Sequence, residues 1–212
     1  MADRDLFDLL GPPMGPIATG LSRGELLRAA LLAGGGVVTG GVLLGGVPEA
    51  ADSKASPEQD AEILNFVLTL ERLQGAFYAQ ALSQAKLTGE LKEFAEVVGG
   101  HEREHTAFVE KALGNAAKPA PRFDFKDATR DARAFTEAAV KLEDLGVAAY
   151  NAQAPNLTNG TLRAAATIVS VEARHAAWIR DLAGQNPAPE ASEPSATAAS
   201  VTDQLNRTGY VK

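Results

Sequence analysis

The 212-residue chain contains no cysteine, which removes thiol nucleophiles, disulfides and cysteine-ligated zinc from consideration. Histidine is scarce too: His101, His105 and His175 are the only three. Any metal held by this protein must therefore rely mainly on carboxylates, helped by a few imidazoles. Positive charge is in deficit, with 20 Lys and Arg against 27 Asp and Glu for a net charge of −7. That balance leaves no basic footprint for nucleic acid. The hydrophobic fraction of 45% and the charged fraction of 22% are those of a folded globular chain, which excludes both wholesale disorder and a multi-span membrane protein.

The longest uncharged run lies near the N-terminus. Ala29 to Pro48 is twenty residues without a formal charge, and a helix of that length rises roughly 30 Å, the thickness of a bilayer's hydrocarbon core. Seven of the twenty are glycine, which weakens insertion and also argues against a buried soluble helix. Arg23 and Arg28 precede the run while Glu49 and Asp52 follow it, so the charge bias puts the rest of the chain outside the cytoplasm, in the periplasm or cell envelope. Residues 1–55 thus read as an export signal or a retained membrane anchor. Ser53-Lys54-Ala55 offers a small-residue cleavage site. Gly36-x-x-x-Gly40 and Gly41-x-x-x-Gly45 would let a retained helix pack closely against a partner helix of a membrane or envelope complex.

From Ser56 onward the pattern is helical. Ser56 is placed as an N-cap, Pro57 at the first helical position and Gln59 to close a capping box. Ile63, Phe66, Val67, Leu70, Leu73 and Phe77 recur at steps of three and four, and the helix is expected to run to about Leu87, ahead of Thr88-Gly89. A second helix is expected from about Glu90 to Leu113, a third from Asp127 to Ala154, and a fourth from Thr158 or Thr161 to Ala183. The fold class is therefore all-α, a four-helix bundle over residues 56–184. Short links make hairpins of helices one and two and of helices three and four. The link from Gly114 to Lys126 spans roughly 40 Å at about 3.3 Å per residue, long enough for a lengthwise crossover between the hairpins. Residues 185–212 begin as a tail of Pro, Ala and Ser that cannot build a core, leaving Val201 to Lys212 as a short segment able to dock.

Aligning the two hairpins exposes a duplication. Glu71-Arg72-Leu73-Gln74-Gly75-Ala76-Phe77-Tyr78 matches Glu143-Asp144-Leu145-Gly146-Val147-Ala148-Ala149-Tyr150 at Glu, Leu, Ala and Tyr. Glu102-Arg103-Glu104-His105-Thr106-Ala107-Phe108-Val109 matches Glu172-Ala173-Arg174-His175-Ala176-Ala177-Trp178-Ile179 in a shared Glu-x-x-His-x-Ala-aromatic-β-branched pattern. Residues at i and i+3 share a helix face, so each Glu-x-x-His presents a carboxylate and an imidazole together. With Glu71 and Glu143 the set becomes Glu71, Glu102, His105, Glu143, Glu172 and His175, the constellation of a di-metal carboxylate bundle. Four carboxylates crowded into an apolar interior resist ionisation unless cations neutralise them, and two divalent ions do so. Oxygen and imidazole ligands without sulfur favour iron or manganese over zinc.

A second motif overlaps the first. His101-Glu102-Arg103-Glu104-His105 fits H-E-x-x-H, the zinc-and-general-base pattern of metalloproteases. That reading leaves Glu172-x-x-His175 unexplained, and the repeat sets Val171 opposite His101, so His101 is assigned to the surroundings of the site or to the bundle surface. Tyr78 and Tyr150, seven residues beyond Glu71 and Glu143, read as core tyrosines, with a redox or hydrogen-bonding role toward the site as the alternative. Gly75 and Gly146 read as places of close helix approach, and Gly99-Gly100 as a local irregularity in the second helix.

These residues resemble the ferritin-like superfamily, and more narrowly the bacterial ferritin-like domain family that also includes desiccation-related proteins. The resemblance covers Asp60 to Gly184 and rests on Asp60-x-x-Ile63-Leu64-Asn65-Phe66 with Glu71, His101-Glu102-x-x-His105, Phe123-Asp124-Phe125, Leu142-Glu143-Asp144-x-Gly146-Val147-x-Ala149-Tyr150, and Ile168-x-x-x-Glu172-x-x-His175-x-x-Trp178. It implies a bundle with a lengthwise crossover, carboxylate metal ligands and export behind a twin-arginine signal. Ser22-Arg23-Gly24-Glu25-Leu26-Leu27-Arg28 resembles such a signal with Gly24 in place of the second arginine. Activities in the superfamily run from iron oxidation to peroxide disproportionation and oxygenation. The expected function is an extracytoplasmic protein with two Fe or Mn ions acting on Fe(II), dioxygen or peroxide in stress protection. The alternative is a membrane-anchored accessory subunit whose site is vestigial or only stabilising.

Overall fold

The computed structural model describes residues 55–193 and 196–212. The expected export or anchor run from Ala29 to Pro48 and its flanking arginines lie outside the described residues. Among the described residues there are five α-helices and no strand: α1 Pro57–Gln84, α2 Gly89–Leu113, α3 Ala132–Gln153, α4 Asn159–Leu182 and α5 Ala198–Thr208. None of these helices is long and apolar enough to cross a membrane.

Local chemistry accounts for the helix boundaries. Ser56 Oγ accepts from Gln59 N at 3.2 Å with Pro57 in the first turn, although the Gln59 side chain does not return the bond, so half of the expected capping box forms. Gly114 and Gly184 adopt φ of +52° and +69°, which an L side chain resists, and the chain leaves α2 and α4 there. The third helix begins later than the sequence pattern indicates, at Ala132 and not Asp127. Lys126–Thr129 forms a separate 3₁₀ turn, and Asp131 Oδ1 caps α3 by accepting from Ala134 N at 2.9 Å. Thr129 explains the interruption: it is fully buried and exchanges hydrogen bonds with Gln80 and Gln84 of α1, which ties this turn to the neighbouring helix. Helix α2 runs through Gly99-Gly100 without a break, so the expected irregularity is absent. Gly99 serves packing instead, because a Cβ there would sit 2.9 Å from Tyr78 Cβ.

Helices α1 and α2 pack as one hairpin and α3 and α4 as another. Between the hairpins the connection follows α1 from one end to the other. Asn65 near the start of α1 binds Ala116 O and Lys118 N, and Gln80 and Gln84 near its end hold Thr129. Those attachment points are about 28 Å apart along the helix at 1.5 Å per residue. Asp60, at the start of α1, joins the hairpins by accepting from the Thr158 backbone N–H, 2.9 Å away, and from the hydroxyls of Thr158 and Thr161.

The interior combines apolar residues of all four long helices with an aromatic group of Phe77, Tyr78, Phe94 and Phe135 at one end. Within the tail, Thr197 forms a reciprocal capping box with Ser200, and α5 buries Val201 and Leu205 completely in the same core. The last residues then return to the crossover, with Asp124 N donating to Tyr210 O and Lys212 N to Arg122 O. Removing the Leu205 side chain leaves a core void, so Leu205→Ala should cost about 2–4 kcal/mol in chemical denaturation. An unchanged unfolding midpoint would contradict docking of the tail.

Candidate metal centre

Each of the four long helices sends one carboxylate into the middle of the bundle, Glu71 from α1, Glu102 from α2, Glu143 from α3 and Glu172 from α4. All four are at most 1% exposed, and His105 and His175 are buried beside them. The six residues named from the repeat therefore come together, in two overlapping groups. Glu71, Glu102, His105 and Glu172 form one, and Glu102, Glu143, Glu172 and His175 the other, with ligand-type atoms inside each group all within 4.8 Å of one another. Glu102 and Glu172 belong to both groups. Neither group contains His101.

The histidines aim Nδ1 at the cluster. His105 Nδ1 lies 2.9 Å from Glu172 Oε1, 3.3 Å from Glu71 Oε2 and 3.8 Å from Glu102 Oε2. His175 Nδ1 lies 3.2 Å from Glu102 Oε1, 3.4 Å from Glu143 Oε2 and 3.8 Å from Glu172 Oε1. The two oxygens of Glu102 thus face different histidines. None of these short contacts has the alignment of a hydrogen bond, so the ligand-type atoms converge on shared points between the side chains without pairing with each other.

The unpaired atoms test whether a pair of cations fits. Within the cluster the buried, partnerless atoms are Glu71 Oε2, both oxygens of Glu102, His105 Nδ1, Glu143 Oε2, both oxygens of Glu172, and His175 Nδ1. That is eight donors, dividing into four for each of two ions when Glu102 and Glu172 give one oxygen to each side. Uncompensated buried polar atoms are rare because each carries a desolvation penalty of about 1–3 kcal/mol, more when charged. Eight of them converging in one place fit two divalent cations.

The oxygens that face away from the cluster are satisfied. Tyr150 of α3 donates to Glu71 Oε1 of α1 at 2.6 Å, and Tyr78 of α1 donates to Glu143 Oε1 of α3. The two tyrosines hold each other's glutamate across the hairpins, leaving one free oxygen on each carboxylate. Burial, reinforced by the adjacent glutamates, holds both phenols well above their usual titration range, so they remain proton donors.

Sequence reasoning missed Gln74, which adds a hydrogen bond to Glu143 Oε1 at 3.2 Å. The signal was present in the repeat, where Gln74 stands opposite Gly146. A Cβ on Gly146 would lie 2.8 Å from Glu172 Oε2 and 3.3 Å from Gln74 Nε2, so the glycine leaves room for both. Gly75 is less constrained, with a Cβ meeting only Glu102 Cβ at an ordinary 3.7 Å.

A model of the ferritin-like domain family matches residues 59–185, the stretch that carries all four long helices and the entire cluster. The chain belongs to the ferritin-like family. A search among curated proteins finds no match. In this ferritin-like bundle the buried carboxylate and imidazole groups could hold metal ions, and proton chemistry accompanies that capacity. Burial, together with the neighbouring carboxylates, raises Glu102 and Glu172 well above their ordinary value of 4.5. His105 is lowered by burial, but its contacts with Glu102, Glu172 and Glu71 outweigh this and push it up to about 12.

Two outcomes follow. Raised groups stabilise the metal-free fold in acid and lose that contribution as pH climbs through their folded-state values, whereas ions require the deprotonated forms. Binding of Mn(II) should therefore release protons and tighten as pH rises above the ordinary carboxylate range, measured by calorimetry in buffers of different ionisation enthalpy. Buffer-independent heats and a pH-independent affinity would contradict the protonated cluster. Gly146→Ala should raise helix propensity by about 1 kcal/mol yet lower metal content, because its methyl group collides with Glu172. Full metal content in that variant would contradict the close approach.

Proposed function

We propose that this protein is a two-ion carboxylate protein that uses Fe or Mn to handle Fe(II), dioxygen or peroxide outside the cytoplasm. The observation that carries the reading is the convergence of eight unpaired buried donors from four helices. Glu71 and His105 would help hold one ion and Glu143 and His175 the other, with Glu102 and Glu172, common to both groups, available to either. A pair of such ions supplies the one-electron steps by which dioxygen or peroxide is reduced. The protein fixes their spacing through rigid helices, keeps bulk water from the carboxylates, and holds the outer oxygens through Tyr78, Tyr150 and Gln74.

Access favours small reactants. A cavity of about 430 Å³ between α2 and α4 reaches His105 and His175 from the surface and is lined by Val97, Val171 and Trp178 among others. It admits an ion or a small oxidant to the histidine edge while the carboxylates remain covered. Location outside the cytoplasm rests on the uncharged run from Ala29 to Pro48 and the charges flanking it.

Anaerobic loading of the metal-free full chain with Fe(II), followed by dioxygen or peroxide in stopped-flow absorbance, tests the proposal. Oxidation of about two Fe(II) per chain is expected, much faster than in solution and lost in Glu143→Ala and His175→Ala, which should also lose metal and thermal stability together. Two bound ions with no acceleration would contradict the redox role and favour the accessory-subunit reading, in which the ions only stabilise the bundle.

A further inference from the structure

Helix α2 carries one imidazole that the four-carboxylate cluster does not use. We infer that His101 is a positioning residue for His175: it accepts the ring N–H of His175, fixes which nitrogen faces the cluster, and makes the Glu143–His175 half the first to take an ion. This rests on the two-ion reading above.

His101 Nδ1 lies 2.9 Å from His175 Nε2. The rings are inclined by only 16° with centroids 5.1 Å apart, a separation reached when two coplanar imidazoles meet edge to edge across a single N–H···N bond. The direction of that bond follows from the other end of the ring. His175 Nδ1 is buried, unpaired and aimed at Glu102 and Glu143, where only a lone pair can bind a cation. Its proton therefore resides on Nε2 and is donated to His101 Nδ1. His101 in turn keeps its own proton on Nε2 and, half-buried, lines the cavity between α2 and α4.

The arrangement breaks the symmetry of the repeat. Val171 occupies the position equivalent to His101 in the second half and has no acceptor to offer His105. Gln74, whose counterpart is Gly146, donates its amide to Glu143 and to no residue of the other half-site's own pair, Glu71 and His105. Both departures from twofold symmetry fall on the same half. An outer hydrogen-bond acceptor on a ligand histidine fixes the tautomer, orients the ring and raises its basicity, and losing one typically costs about 10–100-fold in metal affinity. The Glu143–His175 half has that acceptor, and the Glu71–His105 half has a valine in its place.

Mn(II) titration of the metal-free full chain, followed by calorimetry and electron paramagnetic resonance, reads the consequence. Wild-type protein should bind two ions in two resolved steps, with an isolated-ion spectrum after the first. His101→Val, which installs the residue that the repeat itself uses, should weaken the tighter step by about 10–100-fold and merge the two while keeping a capacity of two ions. His101→Gln, whose side-chain oxygen can accept the same proton, should restore much of the separation. In the Co(II)-loaded protein, NMR should show one slowly exchanging, hyperfine-shifted imidazole N–H in the wild type and none in His101→Val. Equal wild-type steps, or a His101→Val protein with both steps and the N–H signal unchanged, would overturn the inference while two-ion binding stands. Wild-type protein unable to bind two ions would instead remove the two-ion reading, and this inference with it.

Discussion

Four glutamates share one buried interior, and the rest of the bundle is arranged around that constraint. Carboxylates packed this closely in an apolar setting repel one another and are each penalised for losing water. Protons relieve the repulsion, which is why Glu102 and Glu172 are pushed upward. They do so incompletely, because the facing oxygens and imidazole nitrogens have no aligned hydrogen-bond partners. Divalent cations satisfy charge and lone pairs at once. Any cation bound here would therefore add its binding free energy to the stability of the fold, since no unfolded chain holds six such side chains together.

The fold keeps that arrangement in register by crossing its supports. Tyr78 belongs to the first hairpin but holds Glu143 of the second, and Tyr150 does the reverse. Two hairpins that slid or tilted relative to one another would break both bonds. Asp60, bound to the start of α4, and the crossover strapped along α1 fix the same relationship from the two ends. Leu205 and the returning C-terminal residues cover the flank. Rigid supports of this kind hold ligands at metal distances more precisely than loops would.

Much of this was legible in the sequence because metal chemistry restricts residue type and helix geometry restricts spacing. Glu71, Glu102, His105, Glu143, Glu172 and His175 follow from a repeat read at i and i+3, without any knowledge of packing. Asymmetric features were harder. Gln74 looks like an ordinary helical glutamine until its side chain is seen in the space that Gly146 leaves, and that complementarity lies between two helices. His101 reads as a neighbour of the site or as a surface residue, because its bond to His175 depends on how α2 and α4 face each other. The start of α3 departs from the sequence pattern for a similar reason: the residues from Asp127 onward suit a helix, but Thr129 is tied to α1 by Gln80 and Gln84. Tertiary contacts of this kind override a local preference.

The central claim is that two cations sit among the eight convergent donors. Anomalous diffraction from crystals of the protein grown with iron or manganese, recorded at the absorption edge of each metal, tests it most directly. Two peaks are predicted inside the bundle, one between Glu71 and His105 and one between Glu143 and His175, with Glu102 and Glu172 touching both. Crystals with no peak at the cluster, or with a single ion held by His101 and His105, would contradict the account.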